Sequence, residues 1–396
     1  MTKSDDKRVP VLRFKGFTDE WEQRKLGDVL SKFDYGLNSA SSDYDGKNKY
    51  LRITDIDEQT HRFNLDNLTS PKVDLKNKDN YILHPGDIVF ARTGASVGKT
   101  YKYREDDGRV YFAGFLIRGR INKNFDTSFI FDTTLLPKYS NFVKITSIRS
   151  GQPGINSEEY KKYVINIPTI NEQKYISKLI TNLEELITLQ QRKLRQLKLL
   201  KNVLLKRMFT AKKSPTLRFR DFSKDWKLHK LQDITDRLDN ARVPVTASKR
   251  IAGSTPYYGA NGIQDYVKGY THDGEFLLVA EDGANNINDY PVICAKGKIW
   301  VNNHAHVLQA KNKKIDILFL MYALKFLNMK KYLVGGGRSK LNAETMMKLA
   351  LKLPELDEEH NIGVLIKNMD VLITQYKYRI QKINKFKQFL LQNMFI

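Results

Sequence analysis

The feature that most constrains this chain is that it is written twice. "VPVLRFKGFTDEWEQRKLGDV" from Val9 returns as "SPTLRFRDFSKDWKLHKLQDI" from Ser214. Pro10, Leu12, Arg13, Phe14, Phe17, Trp21, Lys25, Leu26 and Asp28 fall without a gap on Pro215, Leu217, Arg218, Phe219, Phe222, Trp226, Lys230, Leu231 and Asp233. At a different offset "SGQPGINSEEYKKYVINIPTINEQ" from Ser150 matches "GGRSKLNAETMMKLALKLPELDEE" from Gly336, and the register runs on to Met208-Phe209 over Met394-Phe395. Each copy therefore has a shared opening, a divergent middle and a long shared close. The repeat is far longer than a solenoid period, and 396 residues exceed one ordinary core, so two domains of one plan are implied.

The closing segments carry a helical seam. Ile176, Ile180, Leu183, Ile187, Gln190, Leu194, Leu197, Leu204 and Met208 recur at spacings of three and four among Lys, Arg, Gln and Glu. Ile362, Ile366, Met369, Ile373, Tyr376, Ile380, Ile383, Leu390 and Met394 stand at the matching places. Two helices of similar length and seam pair most economically with each other as a coiled coil. Each starts after Pro168 or Pro354, with Asn171 or Asp357 suited to N-capping and Glu172 or Glu358 favourable in the first turn. About 39 residues at 1.5 Å each make a rod of roughly 58 Å. The expected fold is α+β: a β-rich domain over 1–168, a long helix over 169–212, a second β-rich domain over 213–354 and its helix over 355–396.

The middles read as short strands and turns. "KYLRITDID", "GDIVFAR", "GKTYKYR" and "FLIRGRI" are β-prone runs in the first, "GEFLLVAEDGA", "YPVICAKGKIWVNN" and "HVLQAK" in the second. "GDIVFARTGASVGKT" invites comparison with a phosphate-binding loop, but only three residues separate Gly94 from Gly98 where four are needed. The same turn returns in the second copy as "EDGANNI" without Gly-Lys-Thr, with Ala91 on Ala280 and Gly94 on Gly283. A tight turn after a buried strand is the reading adopted.

A net charge of +23 points to a polyanionic partner. No apolar run approaches the roughly 20 residues needed to span a bilayer, and "MTKSDDKRVP" lacks the apolar core of a signal peptide, so a soluble, cytoplasmic chain is expected. Cys294 is the single cysteine, which excludes an internal disulfide and a multi-cysteine zinc site. His304 and His306 share the spacing of strand ligands but have no third ligand nearby in sequence, and are read as ordinary strand histidines.

Two divergent β-rich domains, each followed by a long helix, with "LHPGDIV" in the middle and "INIPTINEQ" or "LKLPELDEE" at the helix starts, resemble the specificity subunit of type I restriction-modification systems. The resemblance covers nearly the whole chain, although the second copy has "HDGEFLLVAEDG" in place of the Pro-Gly-Asp-Ile run. It implies two target-recognition domains, each reading one half of a split site in double-stranded DNA, held apart by an antiparallel helix pair. It implies further that the helices dock two methyltransferase subunits, that restriction subunits then join, and that the chain has no cofactor of its own. S-adenosylmethionine would belong to the methyltransferase subunits, ATP and Mg2+ to the restriction subunits.

DNA readers need cations for phosphates and amide or planar groups for base edges. The candidates are Arg52, Arg92, Lys99, Arg149 and Gln152 in the first copy, and Lys249, Tyr258, Asn261, Asn285, Asn286, Arg338 and Lys340 in the second. Against each stands the plain reading of a solvated loop residue. Two rival functions stand beside this one. A methyltransferase or nuclease in its own right lacks support, since no Pro-Pro dipeptide occurs and no convincing Asp…Glu-x-Lys metal-nuclease cluster stands out. A scaffold that binds only proteins would explain the helices but leave the charge without a role.

Overall fold

The computed structural model describes residues 8–209, 214–311, 315–335 and 339–396. By contact the chain divides into two units: the chain up to Leu189 together with Ile380–Ile396, and Gln190–Arg379. The border falls inside both long helices, Ile170–Met208 and Leu356–Asn393, so each unit holds part of each helix.

In the first unit the opening segment is tied to the segment that leads into the helix. Strand Glu22–Lys25 pairs antiparallel with Val164–Ile167, Glu22 opposite Ile167. Trp21 meets Phe129 edge-on at 5.6 Å, and Phe395 stacks on Phe129 at 5.1 Å, so the far end of the second long helix closes this core. Arg13 forks onto the fully buried Glu172 with bonds of 2.7 and 2.8 Å. On this frame lies a four-stranded antiparallel sheet in the order Leu30–Tyr35, Leu116–Ile121, Asp87–Ala91, Thr100–Lys102. Asp87–Ala91 is buried throughout, with Ile88 and Phe90 in one apolar cluster and Val89 and Ala91 in another. Successive side chains point to opposite faces, so a strand covered on both sides reads as a continuous apolar run.

The second unit repeats the frame. Lys227–Lys230 pairs antiparallel with Ala350–Leu353, Trp226 meets Phe319 at 5.7 Å, Phe209 stacks on Phe319 at 5.2 Å, and Arg218 forks onto Glu358 at 2.7 Å. Its sheet differs. Six strands run in the order Thr235–Arg237, Ala305–Ala310, His272–Ala280, Val292–Val301, Ala252–Gly259, Gly262–Val267, and one pairing, Ala252–Gly259 with Val292–Val301, is parallel.

Within each unit the helices pair antiparallel. In the first, Ile176 and Ile180 share a core with Leu390 and Met394, and Glu184 pairs with Lys387 at 2.6 Å. In the second, Met208 shares a core with Ile362 and Ile366, and Lys201 pairs with Asp370 at 2.5 Å. Ile187, Met369 and Ile373 are also buried, whereas Leu183, Gln190, Leu194, Leu197, Leu204, Tyr376, Ile380 and Ile383 are half-buried.

Three expectations are corrected. The helices begin at Ile170 and Leu356, so Asn171 and Asp357 lie inside the first turn, and at the first helix the Thr169 hydroxyl accepts from the Glu172 N–H instead. "KYLRITDID" is a strand only over Lys49–Leu51, because the Asp55 side chain accepts from the Arg52 N–H and turns the chain into a short 3-10 helix, Ile53–Asp55. Helices Pro137–Thr146 and Ile317–Phe326 sit in middles read as strands and turns. The second, "ILFLMYALKF", is apolar on nearly every side because it is buried, which removes the helical period from its sequence.

Candidate nucleic-acid interface

The stretch that resembled a phosphate loop is a hairpin. Asp87–Ala91 turns back into the strand Thr100–Lys102, with the Ala91 N–H donating to the Lys99 carbonyl and the Gly98 N–H to the Ala91 carbonyl. Gly94 and Gly98 hold φ of 79° and 85°, the left-handed region a side chain disfavours, and the Lys99 ammonium is spent on the Ile56 carbonyl. A strand follows where a phosphate loop needs a helix.

At the end of that strand the main chain of Arg92 is clamped from both sides. Its N–H donates to the Phe115 carbonyl at 3.0 Å, and its carbonyl accepts from the Ile155 N–H at 2.9 Å. The loop "RSGQPGIN" is thus stitched to the turn, with the Gly94 N–H on the Pro153 carbonyl. These segments wall a cleft of about 760 Å³ whose lining includes Tyr35, Asn38, Ser41, Arg52, Thr54, Arg92, Phe115 and Gln152. The Arg92 guanidinium lies over the Tyr35 ring, 4.9 Å from its centre, and forms no ion pair among the described residues. The Tyr35 hydroxyl is held by Ser157, and Phe115 stands 64% exposed at the rim.

The other first-copy candidates are differently placed. Arg52 lines the cleft, but two of its nitrogens are committed to Asp55, at 2.8 and 2.7 Å. Arg149 forks onto Glu159 at 2.5 and 2.6 Å and donates to two carbonyls. Gln152 is exposed on the cleft wall beside Gly94.

In the second unit the slot equivalent to Arg92 holds Glu281, whose carbonyl accepts from the Leu341 N–H at 2.7 Å as Arg92's does from Ile155. Glu281 takes Arg242 at 2.7 Å and Lys340 at 2.9 Å. Burial pulls this carboxyl upward, but the bonds from Arg242 and Lys340 outweigh it and leave it below the usual range. His306, 1% exposed, bridges Asp239 at 2.7 Å and the Leu341 carbonyl at 2.9 Å, and His304 pairs with Asp282. Both histidines thus find carboxylates, from segments distant in sequence. Among the described residues no group of three or more such side chains could hold a metal ion.

Tyr258 is 8% exposed in an apolar cluster. Asn261 clips two turns together, donating to the Gly283 carbonyl and accepting from the Asn285 N–H. Asn286 caps its own turn through Asn288 and Asp289. Lys249 is exposed and lines a smaller cleft with Arg250, Tyr257, Lys268 and Trp300. There Arg250 lies 4.1 Å over Tyr257, which stacks on Trp300. Arg338 lies outside the described residues.

Tyr35, Phe115, Arg250 and Trp300 escaped the sequence reading. Tyr35 and Arg92 meet although their strands are separated in the sheet by Leu116–Ile121, an adjacency no local pattern encodes. The one available signal is an aromatic next to glycine in a β-prone run, as in "DYG" and "AGF".

A protein-family model described as "Type I restriction modification DNA specificity domain" matches residues 18–199 and, a second time, residues 223–385. The chain belongs to this family. Among relatives of this DNA-specificity domain chain, a putative type I restriction enzyme specificity subunit of Haemophilus influenzae is 41% identical over 151 residues, a match spanning 38% of each chain. The putative MjaX specificity subunit of Methanocaldococcus jannaschii is 22% identical, across 93% of this chain and 91% of its own. The crystal structure of the S subunit of a type I system from M. genitalium shares the fold with a TM-score of 0.69 at 14% identity, covering 98% of this chain and 99% of that one. Among the described residues no helix is long and apolar enough to cross a membrane.

Proposed function

We propose that this chain is the DNA-reading subunit of a type I restriction-modification complex, that it recognises a bipartite, asymmetric duplex site with one half assigned to each unit, and that it performs no chemistry itself. The observation that carries this reading is the double match of one specificity-domain model to two units that share a frame and differ in their sheets. A single symmetric reader would not need two divergent middles. The cleft in the first unit and the aromatic-basic cleft in the second offer the stacking faces, amides and cations that base edges and phosphates require.

The helices supply a dock. Leu186, Leu189, Phe386 and Phe389 in the first unit, and Leu199, Leu200, Val203, Val371 and Leu372 in the second, remain exposed beside the seam. Apolar rows of this kind on a soluble chain mark protein contacts. We assign them to two methyltransferase subunits, which bring S-adenosylmethionine; restriction subunits, which bring ATP and Mg2+, complete the complex.

The test is an exchange of the first middle, from about Leu30 to Ser147, with that of another family member. The selected or methylated motif should change in one half only. A change in both halves, or in neither, would count against two independent readers.

A further inference from the structure

We propose that Arg92 is the specificity-determining residue of the first unit and that the group it reads is the O6/N7 edge of a guanine. The inference rests on the DNA-reading function above and goes beyond it by assigning one position and one base.

A fixed backbone, a free head group and divergence between the units meet at this residue. Its main chain is held by two hydrogen bonds to different segments, to Phe115 at 3.0 Å and from Ile155 at 2.9 Å. Its guanidinium lies over the Tyr35 ring, 4.9 Å from the centre, and the Tyr35 hydroxyl is itself fixed by Ser157. A cation held over a ring face is positioned without consuming its N–H donors. Arg92 has no carboxylate partner among the described residues, whereas Arg52 and Arg149 are neutralised by Asp55 and Glu159. A positioned, unspent fork in a cleft matches the paired acceptors of guanine in the major groove, the commonest specific contact of arginine with DNA.

The second unit supplies the independent argument. There the bond from Leu341 reproduces the backbone slot, and Asp282 bridges Lys340 as Thr93 bridges Gly154, yet the slot carries Glu281, engaged by Arg242 and Lys340. The frame thus presents one side chain at a constant backbone position and changes its charge between the readers, as a residue setting sequence choice requires.

The experiment is selection of duplexes from a randomised pool by the full chain, as wild type, Arg92→Ala and Arg92→Lys, followed by affinity for the selected site across salt concentrations. The wild type should select a split motif with a guanine in one half. Both variants should lose preference at that base alone, keep the other half, and bind the wild-type site about ten- to a hundred-fold more weakly. Arg92→Lys retains the charge but not the fork, so its salt slope should stay at the wild-type value. Thermal unfolding of both variants should match the wild type, since no ion pair is broken; if Arg92→Ala unfolds early, Arg92→Lys still decides. Variants that select the wild-type motif at every position overturn the proposal and leave two-part reading standing. A wild type that selects no motif overturns the DNA-reading function itself, and the proposal with it.

Discussion

In the first unit the Asp126 N–H is received by Gln173, whose amide also donates to the Pro168 carbonyl; in the second the Asp316 N–H is received by Glu359, an acid 2% exposed. A charge is exchanged in the opposite sense six residues along the helix each aspartate caps. Tyr322 donates to Asp370 at 2.7 Å in the second unit, while Asp132 holds the matching place in the first with one carboxyl oxygen unpartnered. Burial and the nearby Glu184 push the Asp132 carboxyl well above the usual range. What the two units keep is a set of geometric relations: strand on strand, Trp on Phe, Arg on Glu, cap on helix. What they vary is the side chain delivered through a backbone position those relations already hold. The difference teaches that the frame tolerates changes of charge even in buried places, so divergence in the clefts need not endanger folding.

The comparison breaks most visibly at the tryptophans. Trp21→Ala and Trp226→Ala should each cost about 3–5 kcal/mol, because each empties the centre of one core. Hydrogen exchange resolved by unit should show protection falling in the mutated unit first; loss confined to one unit whichever residue is changed would deny the equivalence. Next come the buried forks. Arg13→Ala and Arg218→Ala each strand a carboxylate that is 0% exposed, at a cost of about 3 kcal/mol that Glu172→Gln or Glu358→Gln in the same chain should partly restore. Chemical denaturation of the single and double variants reads this directly.

Glu359 sharpens the comparison through pH. Burial pushes its carboxyl up to about 8 from an ordinary 4.5, against the pull of the Asp316 N–H. The folded chain therefore holds a proton that the unfolded chain releases. This contribution is fully present below pH 4.5, is lost as pH rises towards about 8, and is gone above it. Glu359→Gln copies the first unit and should leave stability unchanged near pH 4 while raising it by about 5 kcal/mol at pH 9. A variant as pH-sensitive as the wild type over that window would show that Glu359 is not the group responsible. The smallest effect belongs to the shared turn. Gly94→Ala and Gly283→Ala, at φ of 79° and 68°, should each cost about 1 kcal/mol and by similar amounts, as thermal unfolding can show.

Much of the frame was legible because it rests on periodicity and repetition. The helix seams follow from apolar spacing alone, and the buried strand Asp87–Ala91 from its unbroken apolar run. The sites were less so. Arg149 and Lys340 look free in the sequence, and each meets its acid, Glu159 or Glu281, only after folding. Tyr258 looks like a reader and is core, because the face of a strand that turns inward is settled by the sheet around it.

By itself, then, the sequence determined that there are two copies, that each ends in a seamed helix, and that the charge is suited to a polyanion, since all three are properties of composition and spacing. Only the tertiary structure decided that the tail of each helix closes a core begun by the other copy, Phe395 against Trp21 and Phe209 near Trp226 on Phe319. It also decided that Arg92 alone among the first-copy arginine candidates keeps its donors free. Both outcomes depend on which distant segments are brought together, and a linear pattern carries no record of the partner a side chain will meet.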